Sequence, residues 1–419
     1  MADKKISWYP LFIIGALFFV FGFITWLNGI LVPYFQICLD LNNLQSLLVV
    51  LASFSAYFIM ALPSAWVLKF TGYKKGISLG LFVMAAGTLL FLPAAYARTY
   101  PLFLTGLFIT GSGLALLQTA ANPYIAIIGP IESTAQRIGF MGLSNKIAGI
   151  ISITILGKIF LFKADDIIAK LNTSTIAEKS TILNGYILKV IEPYLLISCV
   201  LILLGILILF SKLPEVKGTE STDTVLYNGK QSTKKILQYP YLVLGVIALF
   251  FSTACEGIPI DGIVIYSRTL GIKIEVARHF ATFTLWTMLL GYLFTIIAIP
   301  KYISQQQALK LSAILGLSLT ALSVFFGGMV SICCIIFMGF GSAMLWGTIW
   351  GLSLRNLGNY TKQGAALLLM SVIGGGIFPV FYGRLLDINP RYAITLLVPC
   401  YLAILFYSIY GHRIEKWKG

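Results

Sequence analysis

Charge is scarce in this chain: Asp, Glu, Lys and Arg make up 11% of its 419 residues, where a soluble domain carries about 25%. Apolar residues make up 58%, against about 45–50% in soluble proteins. A water-soluble core of this size cannot hide that excess, so a soluble globular class is excluded and the solvent is lipid. Histidine is nearly absent, with only His279 and His412. The six cysteines (Cys38, Cys199, Cys255, Cys333, Cys334 and Cys400) lie in or beside apolar runs without paired ligand spacing. A structural metal site is therefore not expected. Acids are half as many as bases, 15 against 30, leaving a net charge of +15. In a soluble protein that balance would suggest nucleic acid. Here the bases fall mostly in short loops, where they read as topology signals, so no nucleic-acid partner is expected. The chain also lacks a phosphate-cradling glycine motif followed by lysine, a nucleophile elbow and a metal-binding histidine pair. It reads as neither an enzyme nor an ATP-driven pump, with no cofactor beyond a coupling ion. No cleavable signal peptide is expected either, because the apolar run from Trp8 is too long and has no small-residue cleavage site.

What the chain does have is apolar runs of about 20 residues along its whole length, each enough to cross a hydrocarbon layer about 30 Å thick. In lipid every backbone polar group needs an internal partner, and continuous rather than alternating runs select helices over a barrel. The pattern predicts an all-α membrane protein of twelve transmembrane helices. The spans fall near 9–34, 44–68, 77–97, 101–128, 138–160 and 186–211, then near 240–267, 279–300, 307–328, 330–354, 364–386 and 392–411. The hydrophilic stretch Ser211 to Gln238 divides them. It gives an N-terminal six-helix bundle over 1–211, a linker over 212–238 and a C-terminal six-helix bundle over 239–419. With the N-terminus inside, 18 of the 30 Lys and Arg residues fall on the cytoplasmic side and 11 outside, with Lys146 inside a span. Five of the outer ones lie between Lys158 and Lys189, read as a long loop. The bias puts both termini in the cytoplasm.

The two bundles echo each other. Gly111-Ser-Gly-Leu-Ala-Leu-Leu-Gln118 aligns with Gly339-Phe-Gly-Ser-Ala-Met-Leu-Trp346 at an offset of 228. Six plus six spans with a parallel repeat suggest the major facilitator architecture, in which substrate binds near the midplane between the halves.

Inside lipid the polar residues are informative, because a charged one costs about 2.5–3.5 kcal/mol at a helix centre on insertion scales. Gln118 and Asn122, four apart in the fourth span, share one helix face. Two amides there match sugar hydroxyls, and Pro123 frees a backbone carbonyl a turn earlier. The competing reading is an interhelical clamp. Asn28 is a similar intrusion in the first span. Its neighbour Trp26 reads first as an interfacial anchor and second as a platform for a sugar face. Trp346 and Trp350, also four apart, either stack on pyranose C–H faces or simply pack, with Gly347 and Gly351 leaving room beside them. In the fifth span Asn145 adjoins Lys146, which needs a partner, a cavity or the interface. The seventh span carries Glu256 and Asp261 among Gly257, Pro259 and Gly262. Five positions apart, the two acids do not share a face of a regular helix, but an irregular helix could bring them together. Broken helices of this kind form ion and substrate sites in transporters. Glu256, the deeper acid, is the first candidate for cation coupling, while Asp261 is either part of that group or solvated near the outer end.

Leu-Gln118-Thr-Ala-Ala-Asn122-Pro-Tyr, Gly129-Pro-Ile-Glu132-Ser, Ala135-Gln-Arg137-Ile, Tyr57-Phe-Ile-Met-Ala-Leu-Pro63-Ser and Ser144-Asn145-Lys146-Ile-Ala-Gly149 together resemble the fucose–galactose–glucose symporter family of major facilitator proteins. Ile303-Ser-Gln-Gln-Gln-Ala308, Asn356-Leu-Gly, Gly374-Gly-Gly376 and Pro399-Cys-Tyr401 extend the likeness over nearly the whole chain. The pattern looks most like the glucose/galactose and N-acetylglucosamine permease branch. The resemblance implies a hexose importer in a bacterial inner membrane, coupled to H+ or Na+ and working as a monomer. In the fucose permease the position of Gly29 is an aspartate and that of Gln118 a glutamate, so its proton carriers do not transfer here; the resemblance moves coupling to the seventh span. The same resemblance matches Asn145 to an asparagine of that permease's sugar site and Trp346 to a tyrosine. The expected substrate set is Asn28, Gln118, Asn122, Asn145, Trp26, Trp346 and Trp350, and the coupling set Glu256, Asp261 and Lys146. Two readings compete: an uncoupled facilitator or carrier of another solute, and a membrane sensor, for which linker and tails are short.

Overall fold

The computed structural model describes residues 8–127, 134–211, 236–299, 301–355, 357 and 360–417, with the side chains of 8–11, 122–127, 134–138, 361 and 362 outside that description. The described residues form helices, with no strand among them. Among the described residues, eleven segments are long and apolar enough to cross a membrane. One of them, Asn43–Ala97, holds 55 residues, about 80 Å of helix at 1.5 Å per residue and far more than one crossing requires. It breaks at Gly72, whose φ of 70° and ψ of 177° leave the helical region. Glycine pays no side-chain penalty for that conformation.

In the first half of the chain, α1 (Trp8–Thr25) and α2 (Asn28–Cys38) are joined by a short break at Trp26 and Leu27. Then come α3 (Asn43–Leu89), α4 (Phe91–Ala97), α5 (Tyr100–Ile127), α6 (Thr134–Phe160), α7 (Ala164–Thr173), α8 (Ile176–Ile187) and α9 (Ile191–Phe210). The second half runs through α10 (Pro240–Gly257), a π-turn over Ile258–Gly262, α11 (Ile263–Thr269), α12 (Ile274–Ala298), α13 (Gln305–Phe326) and α14 (Gly328–Leu354). It ends with α15 (Thr361–Met370), α16 (Gly374–Ile388), α17 (Pro390–Ala393) and α18 (Leu397–Ile409). Most of the expected linker, residues 212–235, lies outside the described residues.

Helix starts follow local chemistry. Asn42 and Gln45 exchange side-chain and backbone hydrogen bonds at the start of α3, and Ser304 and Gln307 do the same for α13, each box satisfying two otherwise orphaned N–H groups. Proline opens α10, where its missing N–H costs nothing. The stretch between Lys158 and Lys189, expected as a loop, instead contains α7 and α8. Acids in the first turn of α7 and a Thr175–Glu178 capping box on α8 supply the start signals that its polar composition obscured.

Packing within each half is dense: α3 lies along α5 and α9, α1 along α6, α14 along α10, α12 and α13, and α18 along α10 and α13. The halves meet chiefly along α3 with α16 and α6 with α12, with α3 also against α15 and α7 against α12, while α2 touches the π-turn and α11. At the α1–α6 contact Gly22 lies so close to the Asn145 carbonyl that no side chain fits between them. Aliphatic and aromatic side chains fill the interior, and large ones such as Trp66, Phe70, Phe210 and Phe325 stay exposed on the periphery, as a surface facing lipid requires.

Candidate functional site

The break between α1 and α2 sets Trp26 and Gly29 at the seam between the halves and turns Asn28 into the first half. Trp26 is 5% exposed, which corrects its first reading as an interfacial anchor. Its indole N–H donates to Asn145 Oδ1 at 2.9 Å. The Lys146 ammonium stands over the ring, 3.7 Å from its centre, a cation–π arrangement whose strength rises when desolvated. Lys146 Nζ then reaches Glu256 Oε1 at 2.6 Å. Lys146 is 3% and Glu256 17% exposed, so the lysine meets the demand for a partner through an ion pair rather than by reaching the membrane surface. The ring of Tyr292 on α12 lies 5.8 Å from the same ammonium. One charged pair thus ties α6 to α10, across the two halves.

The second acid is set by the π-turn. Insertion of an extra residue into a helix turn rotates the following positions, and Asp261 lies within electrostatic range of both Lys146 and Glu256. It is 2% exposed, so the solvated reading of Asp261 does not hold. Its Oδ1 is buried with no hydrogen-bond partner among the described residues. A side-chain carbon at Gly29 would lie 3.7 Å from that oxygen.

The amides divide into two groups. Gln118 donates from Nε2 to the Tyr57 hydroxyl at 3.1 Å, and its carbonyl oxygen makes no hydrogen bond among the described residues. Asn28 accepts a long 3.4 Å bond from Ser53 and is 3% exposed. Asn28, Ser53 and Tyr57 line a cavity of about 30 Å³ inside the first half, with Thr25 and Thr110. That volume holds a water or two and is too small for a hexose. Asn145 is held on one side by Trp26 and on the other by a 3.4 Å bond from Nδ2 to the Phe18 carbonyl. The side chain of Asn122 lies outside the described residues, as do Gly129, Pro130 and Glu132, the side chains of Ala135 and Arg137, and Asn356.

On α14 Trp346 and Trp350 are half-buried with ring centres 5.7 Å apart. Trp350 Nε1 is buried without a partner among the described residues. The expected room beside them exists at Gly347, which has open space around it, but not at Gly351, where Gln305 fills it. Tyr57 and Tyr292 are the residues missed by sequence reasoning. Tyr57 stood in the quoted Tyr57-Phe-Ile-Met-Ala-Leu-Pro63 motif; nothing distinguished Tyr292 from the other aromatics.

At the end of the bundle opposite the chain termini, polar contacts cross the seam. Arg268 donates to Gln36 Oε1 at 2.6 Å, Gln36 to Asn43 Oδ1 at 2.7 Å, and Asn43 to Asp387 Oδ1 at 2.6 Å. The Asp165 carboxylate of α7 accepts from the backbone N–H groups of Ile274 and Glu275 at 3.1 Å each. It supplies the N-terminal cap that α12 lacks locally. Beside these contacts residues of both halves line an open pocket of about 450 Å³.

The sequence matches the family model described as "Major Facilitator Superfamily" over residues 13–379. It is 32% identical to the glucose/galactose transporter of Brucella abortus, over 98% of this chain and 96% of that one. It is 29% identical to the L-fucose-proton symporter of Escherichia coli, over 95% and 92%. A crystal structure of the E. coli fucose:proton symporter superposes with a TM-score of 0.75 at 27% identity, covering 98% of this chain and 99% of that one. The chain belongs to the major facilitator superfamily; it is a multi-pass membrane transporter and not an enzyme.

Proposed function

We propose that the protein imports a hexose-type sugar (glucose, galactose, mannose or N-acetylglucosamine) by alternating access, coupled to H+ or Na+. The observation that carries the reading is the meeting of Trp26, Asn145, Lys146 and Glu256 at the seam between the halves. Hydrogen-bonding and charged side chains are costly in lipid, and here they gather where a substrate path between two rocking halves would run. The similarity to a glucose/galactose transporter and a fucose–proton symporter supports the substrate class.

In this reading Asn28, Gln118, Asn122 and Asn145 hold sugar hydroxyls, and Trp26, Trp346 and Trp350 supply aromatic walls. Glu256, Asp261 and Lys146 answer the coupling cation. Counting Asn43–Ala97 as two spans about Gly72 gives twelve, six in 1–211 and six in 239–419 about the linker 212–238. Both termini are then cytoplasmic, in a bacterial inner membrane, and the working unit is a monomer. The small cavity at Asn28 means that sugar enters only when the halves part.

One observation favours an uncoupled facilitator instead: the charge of Glu256 is already matched by Lys146. The test is uptake of the four labelled sugars into proteoliposomes, under separate inward proton and sodium gradients. Accumulation of a hexose above equilibrium under one gradient supports the proposal. Equilibration alone under both points to the facilitator, and absence of hexose flux contradicts sugar transport.

A further inference from the structure

The two acids of the seventh span are placed unlike each other. Glu256 has a cation at 2.6 Å. Among the described residues Asp261 has none in contact, and its Oδ1 is buried with no hydrogen-bond partner. Both of its oxygens look onto glycines: side-chain carbons at Gly29 and Gly257 would lie 3.7 Å from Oδ1 and Oδ2 respectively. Gly29 belongs to α2 of the first half and Gly257 to α10 of the second, so the carboxyl group sits in the contact between halves.

The surroundings offer little to hold a negative charge. The α2 sequence contains no charged residue, and neither does α14. On α12 Thr284 packs against the turn and donates to the Pro259 carbonyl, not to Asp261, while Arg278 donates to the Gly157 carbonyl, Glu275 accepts from the Lys163 N–H, and the Tyr292 ring faces Lys146. On α16 the Tyr382 ring faces Gly262, the next residue along, while Asp387 is engaged by Asn43. Arg268 of α11 is turned to Gln36. The charged residues of α3, Lys69, Lys74 and Lys75, lie beside the Gly72 break, far along that helix from Asn43. The remaining charges within range are Lys146 and Glu256, which largely cancel each other.

A lone ionised carboxylate enclosed this way is costly, and a single proton removes the charge without any further ligand. A sodium ion would instead need several oxygen ligands around it, of which the backbone carbonyls of Ile260 and Gly375, against the same two glycines, are at hand, whereas a proton needs none.

We propose that Asp261, rather than Glu256, carries the coupling proton, while Glu256 and Lys146 form a fixed neutral pair beside it. The proposal rests on the coupled-import reading above. With the contact open to the outer side, the Asp261 carboxylate takes one proton from the outer water. Closure buries the neutral acid against Gly29, and opening to the inner side returns the proton to the cytoplasmic water. The glycines at 29 and 257 let the two halves close over the acid without placing a donor beside it.

The test uses the full chain in proteoliposomes, with a pH dye outside and labelled hexose. In the wild type, adding sugar outside without an imposed gradient makes the outer medium more alkaline as protons enter. Asp261→Asn and Asp261→Ser lose that signal and all proton-driven accumulation, while sugar-for-sugar counterflow continues at a reduced rate. Counterflow shows that the variant is folded, and either variant that keeps it suffices. A wild type that accumulates sugar on a sodium gradient with no sugar-evoked pH change overturns the proton assignment without requiring any variant to fold. So does an Asp261 variant that still drives accumulation with protons. If the wild type accumulates no hexose under either gradient, the coupled-import reading itself fails, an outcome distinct from failure of Asp261 alone.

Discussion

Lys146 on α6 and Glu256 on α10 form a buried ion pair of 2.6 Å that joins the two halves of the chain beneath the ring of Trp26. Removing one member strands a charge away from water, typically at a cost of about 3–5 kcal/mol. Lys146→Gln and Glu256→Gln are each expected to lower thermal stability in detergent clearly and, since neither carries the coupling proton, to slow counterflow and gradient-driven accumulation in the same proportion. The double variant is expected to be more stable than either single one, since it strands nothing. A double variant whose losses simply add would show that the pair is not coupled.

Trp26 is expected to act through Asn145. Trp26→Phe keeps a ring under Lys146 but removes the indole N–H that fixes the Asn145 amide at 2.9 Å. One neutral hydrogen bond is worth about 1 kcal/mol, so the half-saturating hexose concentration in counterflow is expected to rise about fivefold. An unchanged value would mean that the amide's orientation does not matter to the substrate.

The polar contacts opposite the termini are expected to hold that end shut. Asp165→Ala removes the cap that α7 gives to α12, worth roughly 1 kcal/mol. Asp387→Asn weakens the charge-assisted bond from Asn43. Spin labels at Asp40 and Thr269, which line the pocket from opposite halves, report the gap. The combined variant is expected to show a larger share of long distances than the parent, and an identical distribution would contradict a latch.

Two glycines make a matched pair. Gly22 is pressed against the Asn145 carbonyl, whereas Gly347 faces open space. Gly22→Ala is expected to push α1 from α6, lower the melting temperature and stop transport. Gly347→Ala is expected to leave melting unchanged, because nothing stands within 4 Å.

Much of this was legible from composition and from spacing. Twenty-residue apolar runs have one stable form in lipid, so the helices were readable, and the polar intrusions Asn28, Gln118, Asn145, Lys146, Glu256 and Asp261 stood out for the same reason. Partnership was harder to read. The Lys146–Glu256 contact spans 110 positions, and no local period encodes it. Trp26 was misread because a tryptophan near a helix end has the same sequence signature whether it meets headgroups or a buried ammonium. The outer helices α7 and α8 were missed because capping signals in a polar stretch are weaker than hydropathy. The π-turn was foreshadowed by Gly257, Pro259 and Gly262, although its consequence, a buried and partnerless Asp261, needed the packing of α2 against it.

The central claim is that the amides at the seam hold the sugar rather than merely clamp helices. Its most direct test is the dissociation constant of the hexose giving the highest flux, measured by titration calorimetry on the purified protein, Gln118→Ala and Asn145→Ala, with melting temperatures recorded alongside. Loss of a bidentate amide contact of about 1.4 kcal/mol corresponds to a tenfold change. A rise of about tenfold in each variant is the expected result, with little change in melting for Gln118→Ala and a modest loss for Asn145→Ala from its bonds to Trp26 and Phe18. Unchanged affinity, with melting lowered in both, would show that these side chains only fasten helices together and would contradict the claim.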